Sequence, residues 1–213
     1  MMKRIFLFAA LLIGVAALYF YVLRYNDSPF SGAAKKRTTN AETALLAGLQ
    51  MRANAAASFI QQKRLSNKYC FLIDMSIPSG RNRFFVYDLK MGQIIKRGLV
   101  AHGSCHEPLG FKEASFSNVV NSGCSSLGRY KVGYSYRGNF GKAYKLHGLD
   151  ATNSKSFERF VVLHSYGCVP DSETYPMPIC TSLGCPMVSP QFLNSLKPLI
   201  DASQKPILLW IYN

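Results

Sequence analysis

The stretch FVVLHSYGCVPDSETYPMPICTSLGCP, residues 160–186, holds the two most reactive side-chain types of the chain in one short span. Phe160–Leu163 is an apolar run of strand composition, and it ends on His164. Twenty-one residues later Cys185 sits in a Ser-x-Gly-Cys-Pro turn, behind Gly184 and in front of Pro186. A strand end delivers its side chain to the rim of a sheet, where a loop can bring a second group to meet it. An imidazole within reach of a thiol takes its proton and leaves a thiolate, the form that attacks carbonyls. Gly184 admits backbone conformations that other residues resist and lets a substrate approach closely. The amides of Gly184 and Cys185, with Leu183 as a third, are the candidate donors to a developing oxyanion; Pro186 has no amide to offer.

Blander readings stand beside this one. A histidine that ends an apolar strand is ordinarily a packed structural residue, and a cysteine in an exported chain is ordinarily half of a disulfide. A sharper rival is a zinc site, because His164, Cys168, Cys180 and Cys185 form H-x3-C-x11-C-x4-C.

Upstream, the runs CFLIDM, RFFVYDL, QIIKRGLVAH, RYKVGYSY, KAYKLHGL and RFVVLHSY, with ILLWIY at the C-terminus, are aromatic or β-branched and separated by turn residues. They predict a mainly β fold, a sandwich or barrel, with helices at its edges. One edge helix is expected at QFLNSLKPLID, with Pro198 ending or kinking it. A second, over residues 39–66, is expected from the Thr39-x-x-Glu42 capping pattern and the spacing of Leu45, Leu49, Ala56 and Ile60. Residues 24–38, polar, basic and broken by Pro and Gly, read as a linker, and 67–213 as the catalytic domain.

The N-terminus suggests where the domain works. Lys3 and Arg4 precede nineteen uncharged residues, 5–23, about the length that spans a bilayer. The charges in front favour a cytoplasmic start and an exported remainder. The segment is read as a membrane anchor, with a signal peptide cleaved near Val15-Ala16-Ala17 as the alternative. An extracytoplasmic location, in the periplasm or envelope, follows. Net charge is +14, and beyond residue 24 there are 22 basic residues against 11 acidic ones. Such a balance suits an anionic partner, and export makes that partner a wall polymer or a lipid surface; no nucleic acid is expected. Of six cysteines, Cys70 in YCFLID is the best candidate for a buried thiol. Cys105 with Cys124, and Cys168 with Cys180, would close short loops, although the sequence leaves the connectivity open.

HSYGCVPDSETYPMPICTSLGCP resembles the His…Ser-x-Gly-Cys signature of the L,D-transpeptidases, cysteine enzymes that remodel bacterial peptidoglycan. The likeness extends to FLIDMSIPSGRNRFFVYDLKMGQIIKRGLVAHG, SFSNVVNSGCSSLGRYKVG and YKLHGLD, which are similar to successive strands of the murein L,D-transpeptidase catalytic-domain branch. It covers roughly residues 65–190. The resemblance implies Cys185 as nucleophile, His164 as general base, and Gly184 as the glycine whose amide helps form the oxyanion hole. It further implies Ser182 as the small hydroxyl residue opening the motif, and Ser165 as the residue whose main-chain carbonyl orients the imidazole. Ser126-Leu127-Gly128-Arg129-Tyr130 stands where the wider family has a Thr-Pro-x-Gly-x-Phe/Tyr turn, with a structural role. Leu183 replaces a frequent histidine, and Pro186-Met187 replaces a hydrophobic-Asn ending. His147 is expected to be structural, and His102 and His106 have no assigned function.

The implied reaction is acyl transfer on peptidoglycan stem peptides, with no metal and no organic cofactor. Hydrolysis by the same Cys/His site and a non-catalytic wall-binding domain with all cysteines oxidised are the alternatives. The insert VPDSETYPMPI, between base and nucleophile, is a candidate lid or groove wall.

Overall fold

The structure, a computed structural model, describes residues 14–21, 29–107, 114–138 and 141–213. The chain divides into two compact units, Met1–Gly48 and Leu49–Asn213. In the first, residues 14–21 and 29–48 are helical. Most of the apolar segment 5–23 lies outside the described residues. Among the described residues no helix is long and apolar enough to cross a membrane.

Helix α1 runs from Pro29 to Lys63, so it starts ten residues ahead of the expected capping pattern at Thr39. Pro29 opens it at a position where a missing amide costs nothing, and Ala33-Ala34-Lys35-Lys36-Arg37 are strong helix formers. These propensities outweigh the basic, glycine-containing look that suggested a linker.

The second unit carries one mixed sheet of nine strands: β1 (Tyr69–Asp74), β2 (Phe84–Asp88), β3 (Gln93–Gly98), β4 (Val100–Ala101), β5 (Gly128–Gly138), β6 (Gly141–Gly148), β7 (Val162–Ser165), β8 (Met187–Val188) and β9 (Leu208–Tyr212). Their order is β3-β2-β1-β9-β5-β6-β7-β8-β4. The β1–β9 and β7–β8 pairs are parallel and the rest antiparallel. The two edge strands, β3 and β4, are consecutive in the chain and separated only by Leu99. A sheet whose opposite edges share a covalent link of one residue has to curl until they meet. The result is the mainly β, nearly closed barrel expected from the sequence. QIIKRGLVAH is therefore two strands and not one.

Alternation along the strands separates two faces. One face builds the main core: Phe71 and Ile73, Phe84 and Val86, Tyr130 and Val132, Tyr144 and Leu146, Leu163, Leu209 and Ile211. On the other face, α1 covers β2-β1-β9 with Leu49, Ala53, Ala56 and Ile60, all on one helical stripe and all buried. Gln50 accepts a hydrogen bond from the Tyr87 hydroxyl. The Arg52 guanidinium lies over the rings of Trp210 and Tyr212, at 4.9 and 4.1 Å. The same face along β5, β6 and β7 carries Lys131, Lys145, His147 and His164 in place of apolar side chains.

Helix α2 (Pro190–Asp201) is the expected edge helix. Pro198 does not end it; the helix continues through Asp201. Leu193 and Leu196 are buried in the core, and Phe192 meets Phe84 edge-on at 5.2 Å, which holds the helix despite the one amide that Pro198 lacks. Ser189 caps the N-terminus, its Oγ accepting from Phe192 N at 3.0 Å. Ser189→Ala is expected to cost about 1 kcal/mol. Calorimetry would read this as a melting temperature lower by about 2–4 °C.

Candidate active site

Cys185 is a half-buried free thiol on a turn that three backbone segments hold. Residues 102–104 run alongside it: Ser182 N donates to His102 O at 2.8 Å, and Ser104 N donates to Ser182 O at 2.8 Å. Ser125, from the opposite side, donates its Oγ to Gly184 O at 3.1 Å and accepts from Gly103 N at 2.9 Å. The Cys105–Cys124 disulfide ties these two supporting segments together. Within the turn, Ser182 Oγ accepts from Gly184 N at 3.1 Å and donates to Cys185 O at 2.6 Å. Gly184 has φ +112°, and a Cβ there would stand 2.7 Å from the carbonyl oxygen of Cys124, so no other residue fits.

The Gly184 amide, expected to face an oxyanion, donates to Ser182 Oγ instead. Ser182 is not simply the first residue of a motif. It is the internal brace of the turn.

His164 reaches the same place from β7. In the parallel β7–β8 pair it stands opposite Met187, and its amide donates to Pro186 O at 3.5 Å. The backbones of the histidine and the cysteine turn are therefore adjacent. His164 Nδ1 lies 3.3 Å from Ser165 O. A carbonyl only accepts, so Nδ1 carries the proton and Nε2 keeps the lone pair that a base needs. Burial holds the imidazole below its ordinary pKa, opposed by the hydrogen bond to Ser165. Burial also pushes the Cys185 thiol up, opposed by the Val162 amide and the charges of Lys145 and Arg159. Both shifts favour a neutral thiol beside a neutral imidazole.

Sequence reasoning missed the two cations. Lys145 is buried on β6; its Nζ donates to Phe157 O at 3.2 Å and sits over the rings of Phe157 and Phe160 at 4.7 and 4.9 Å. In KLHG the alternation that sends Leu146 to the core sends Lys145 and His147 to the site face, so a signal was present. Arg159 donates to Ser117 O at 2.8 Å, to Ser126 Oγ at 2.6 Å and to Cys124 O at 2.5 Å. It fastens the supporting loop and places positive charge near the thiol. Nothing local in SFERF announces that.

Cys168–Cys180 is a disulfide, which takes two of the four candidate zinc ligands and removes the zinc reading. Cys70 is a buried thiol, its pKa pushed up to about 12 by burial. In the Ser126–Tyr130 segment Tyr130 donates to Ser126 O at 2.7 Å, and Arg129 pairs with Asp150 at 2.5 Å, both structural contacts. The insert after Cys168 is pinned to another turn, since Thr174 N and Tyr175 N both donate to Gly80 O, at 2.8 and 3.1 Å. His102 accepts from the buried Arg83 at 2.9 Å through Nδ1, and His106 donates from Nε2 to Asn121 O at 2.7 Å, outside the turn.

A family profile described as L,D-transpeptidase catalytic domain matches residues 41–212. The chain belongs to that family. Solved structures to which the chain is similar include an L,D-transpeptidase from Mycobacterium smegmatis, at 12% identity and a TM-score of 0.42, with 68% of this chain and 59% of that one covered. Another is an L,D-transpeptidase from Xylanimonas cellulosilytica, at 15% identity and a TM-score of 0.39, covering 70% and 62%. A third is the helical cell shape determining protein Pgp2 from Campylobacter jejuni, at 12% and 0.42, covering 68% and 47%. The chain thus spans about half to three-fifths of the length of each. No curated protein matches it.

Two outcomes are expected from the site's electrostatics. Because burial raises the Cys185 thiol, its alkylation by iodoacetamide is expected to accelerate with pH and still be rising at the ordinary thiol pKa. In Lys145→Gln, which removes a cation favouring the thiolate, the curve is expected to move to higher pH; stopped-flow alkylation with peptide mapping reads both. His102, held down to about 4 by burial and by Arg83, stays neutral when folded and takes a proton when unfolded. Stability is therefore full above about 6.5, the unfolded value, and falls as pH drops toward about 4. Thermal melts of the native protein against His102→Gln should show a shallower decline in the variant.

Proposed function

We propose that this protein catalyses cysteine-dependent acyl transfer on peptidoglycan stem peptides, crosslinking or remodelling the cell wall. The observation that supports it most is a free thiol on a braced glycine turn whose backbone runs beside a strand-borne histidine, the Nδ1 of which is fixed by Ser165 O. Cys185 gives its proton to His164 Nε2 as its sulfur attacks the carbonyl joining an L-centre to a terminal D-residue. The resulting oxyanion is met by the amide of Cys185, and by that of Gly184 once it exchanges Ser182 Oγ for the substrate. Collapse breaks the peptide bond; the imidazolium protonates the departing amine, and the D-amino acid leaves. The thioester is then attacked by an amine of a second stem peptide. His164 takes that amine's proton, the thiol is restored, and a crosslink remains. With water as acceptor the same residues perform a carboxypeptidase reaction.

Lys145 and Arg159 compensate, in this reading, for the burial that disfavours the thiolate. The domain acts outside the cytoplasm, exported by the apolar stretch 5–23, which remains as an anchor or is cleaved.

The test is incubation of the exported domain with purified muropeptides and mass analysis of the products. A dimer that incorporates an added amine acceptor is expected. Cys185→Ala and His164→Ala should each reduce turnover by at least about a thousandfold with circular dichroism unchanged. Turnover retained in both variants overturns the assignment, and product that is only trimmed monomer replaces transfer by hydrolysis.

A further inference from the structure

A second concavity has Lys131 and His147, from the thiol's face of the sheet, on one wall and the apolar Val132, Ile200 and Ile207, from the main core, on the other. It is a cleft of about 340 Å3 formed by β5, β6 and the segment between α2 and β9. Lys131, His147 and Lys205 line it, with Tyr134, Ser203 and Gln204, and no carboxylate does. Lys131 and His147 are cross-strand partners, so both side chains leave the sheet on one side. Gly133 makes room for the imidazole: a Cβ there would stand 2.7 Å from His147 Nε2. Phe157 stacks on the other side of the ring at 5.7 Å. The cleft floor is fixed by Val132 N donating to Ile207 O at 3.0 Å. Among the described residues neither Lys131 nor Lys205 is part of an ion pair.

The strand register relates this cleft to Cys185. His147 lies two residues along β6 from Lys145, which stands opposite Val162 on β7, and the Val162 amide faces the thiol. Two strand spacings across and two residues along put the cleft on the order of 12 Å from the sulfur. An extended peptide covers that span in about three to four residues. Lys145 and Phe157 lie between, continuous with both sites through the stack on His147.

We propose that this cleft is a subsite for a carboxylate of the peptide strand whose carbonyl is presented to Cys185. The choice of a peptide rests on the function proposed above; the preference for a carboxylate rests on the cleft. Lys131 and Lys205 supply charge, and Tyr134 and Ser203 supply neutral donors around it. A strand anchored at both ends has its scissile carbonyl positioned before reaction, the orientation that lowers a bimolecular barrier.

The experiment uses the Cys185→Ala protein, so that binding is read without turnover. Calorimetry with a muropeptide carrying free carboxylates, and with the same muropeptide amidated, is compared in this background and with Lys131→Gln and Lys205→Gln added. The double change is expected to weaken the acidic ligand about tenfold and leave the amidated one unaltered. Equal affinity for the acidic ligand with and without the two lysines overturns the proposal. Nuclear magnetic resonance of the His147 ring supplies a peptide-free reading. A saturable shift with citrate, lost in the double variant, supports the subsite, and no shift overturns it. A shift with phosphate as strong as with citrate overturns the carboxylate preference. Failure of the native protein to join muropeptides would count against acyl transfer alone, because the citrate result does not depend on it.

Discussion

The fold closes on a buried cation. Arg83, 2% exposed, donates from Nε and Nη2 to the carbonyl of Val100 at 2.9 and 2.8 Å and from Nη1 to Ile77 at 3.2 Å. Its own amide donates to Gly98 O at 3.2 Å. Gly98 is the last residue of β3 and Val100 the first of β4, so one residue fastens both ends of the sheet around Leu99. Burial lowers this guanidinium to about 10, which still leaves it charged at neutral pH. Removing it would leave the Val100 carbonyl at the seam without its charged donors, a larger loss than one contact suggests.

Closure is what makes the site. β4 leads directly into residues 102–104, and these hold Ser182 by two backbone hydrogen bonds. If the sheet opened at Leu99, the cysteine turn would lose one of its three supports, and Ser125 and the Cys105–Cys124 bridge would hold it from one side only. The rigidity is purchased with dehydration: a sulfur packed this closely resists ionisation, and two cations plus a backbone amide work against that resistance. A thiol held neutral by burial is protected from oxidants, which react with the thiolate.

The sequence made the mainly β architecture readable because alternation and turn residues mark strands of five or more residues, such as FFVYD and LLWIY. β4 and β8, two residues each, exist only because the sheet closes and places a partner beside them. The early start of α1 was hidden because Pro, Gly and a basic cluster also describe a linker, and only propensity summed over a longer window separates the two. Pro198 misled because a proline rule describes an isolated helix, whereas Leu193 and Leu196 hold this one from the core. At the site, His164 and Cys185 stood out through their spacing and the glycine between them. The reach of Arg159 did not, because its partners lie 33 to 42 residues away in the chain. Ser182 was noticed as the small hydroxyl residue that opens the motif, and only the fold shows that this hydroxyl takes up the Gly184 amide.

The ring closed by Cys168 and Cys180 stands between His164 and Cys185 in sequence. Val169 and Ile179, just inside its two ends, pack with Leu99, Ala101 and Met187 in a small separate core. Its tip is hung from Gly80, with Glu173 accepting from Asn82 N at 2.8 Å. Exposed side chains within it, such as Tyr175 and Met177, sit on a platform whose base packs on Met187, the residue opposite His164 in the β7–β8 pair. Substitutions at these exposed positions leave the apolar contacts of Val169 and Ile179 at its base in place. This is the condition under which a lineage can change what an enzyme recognises while its chemistry stays as it was.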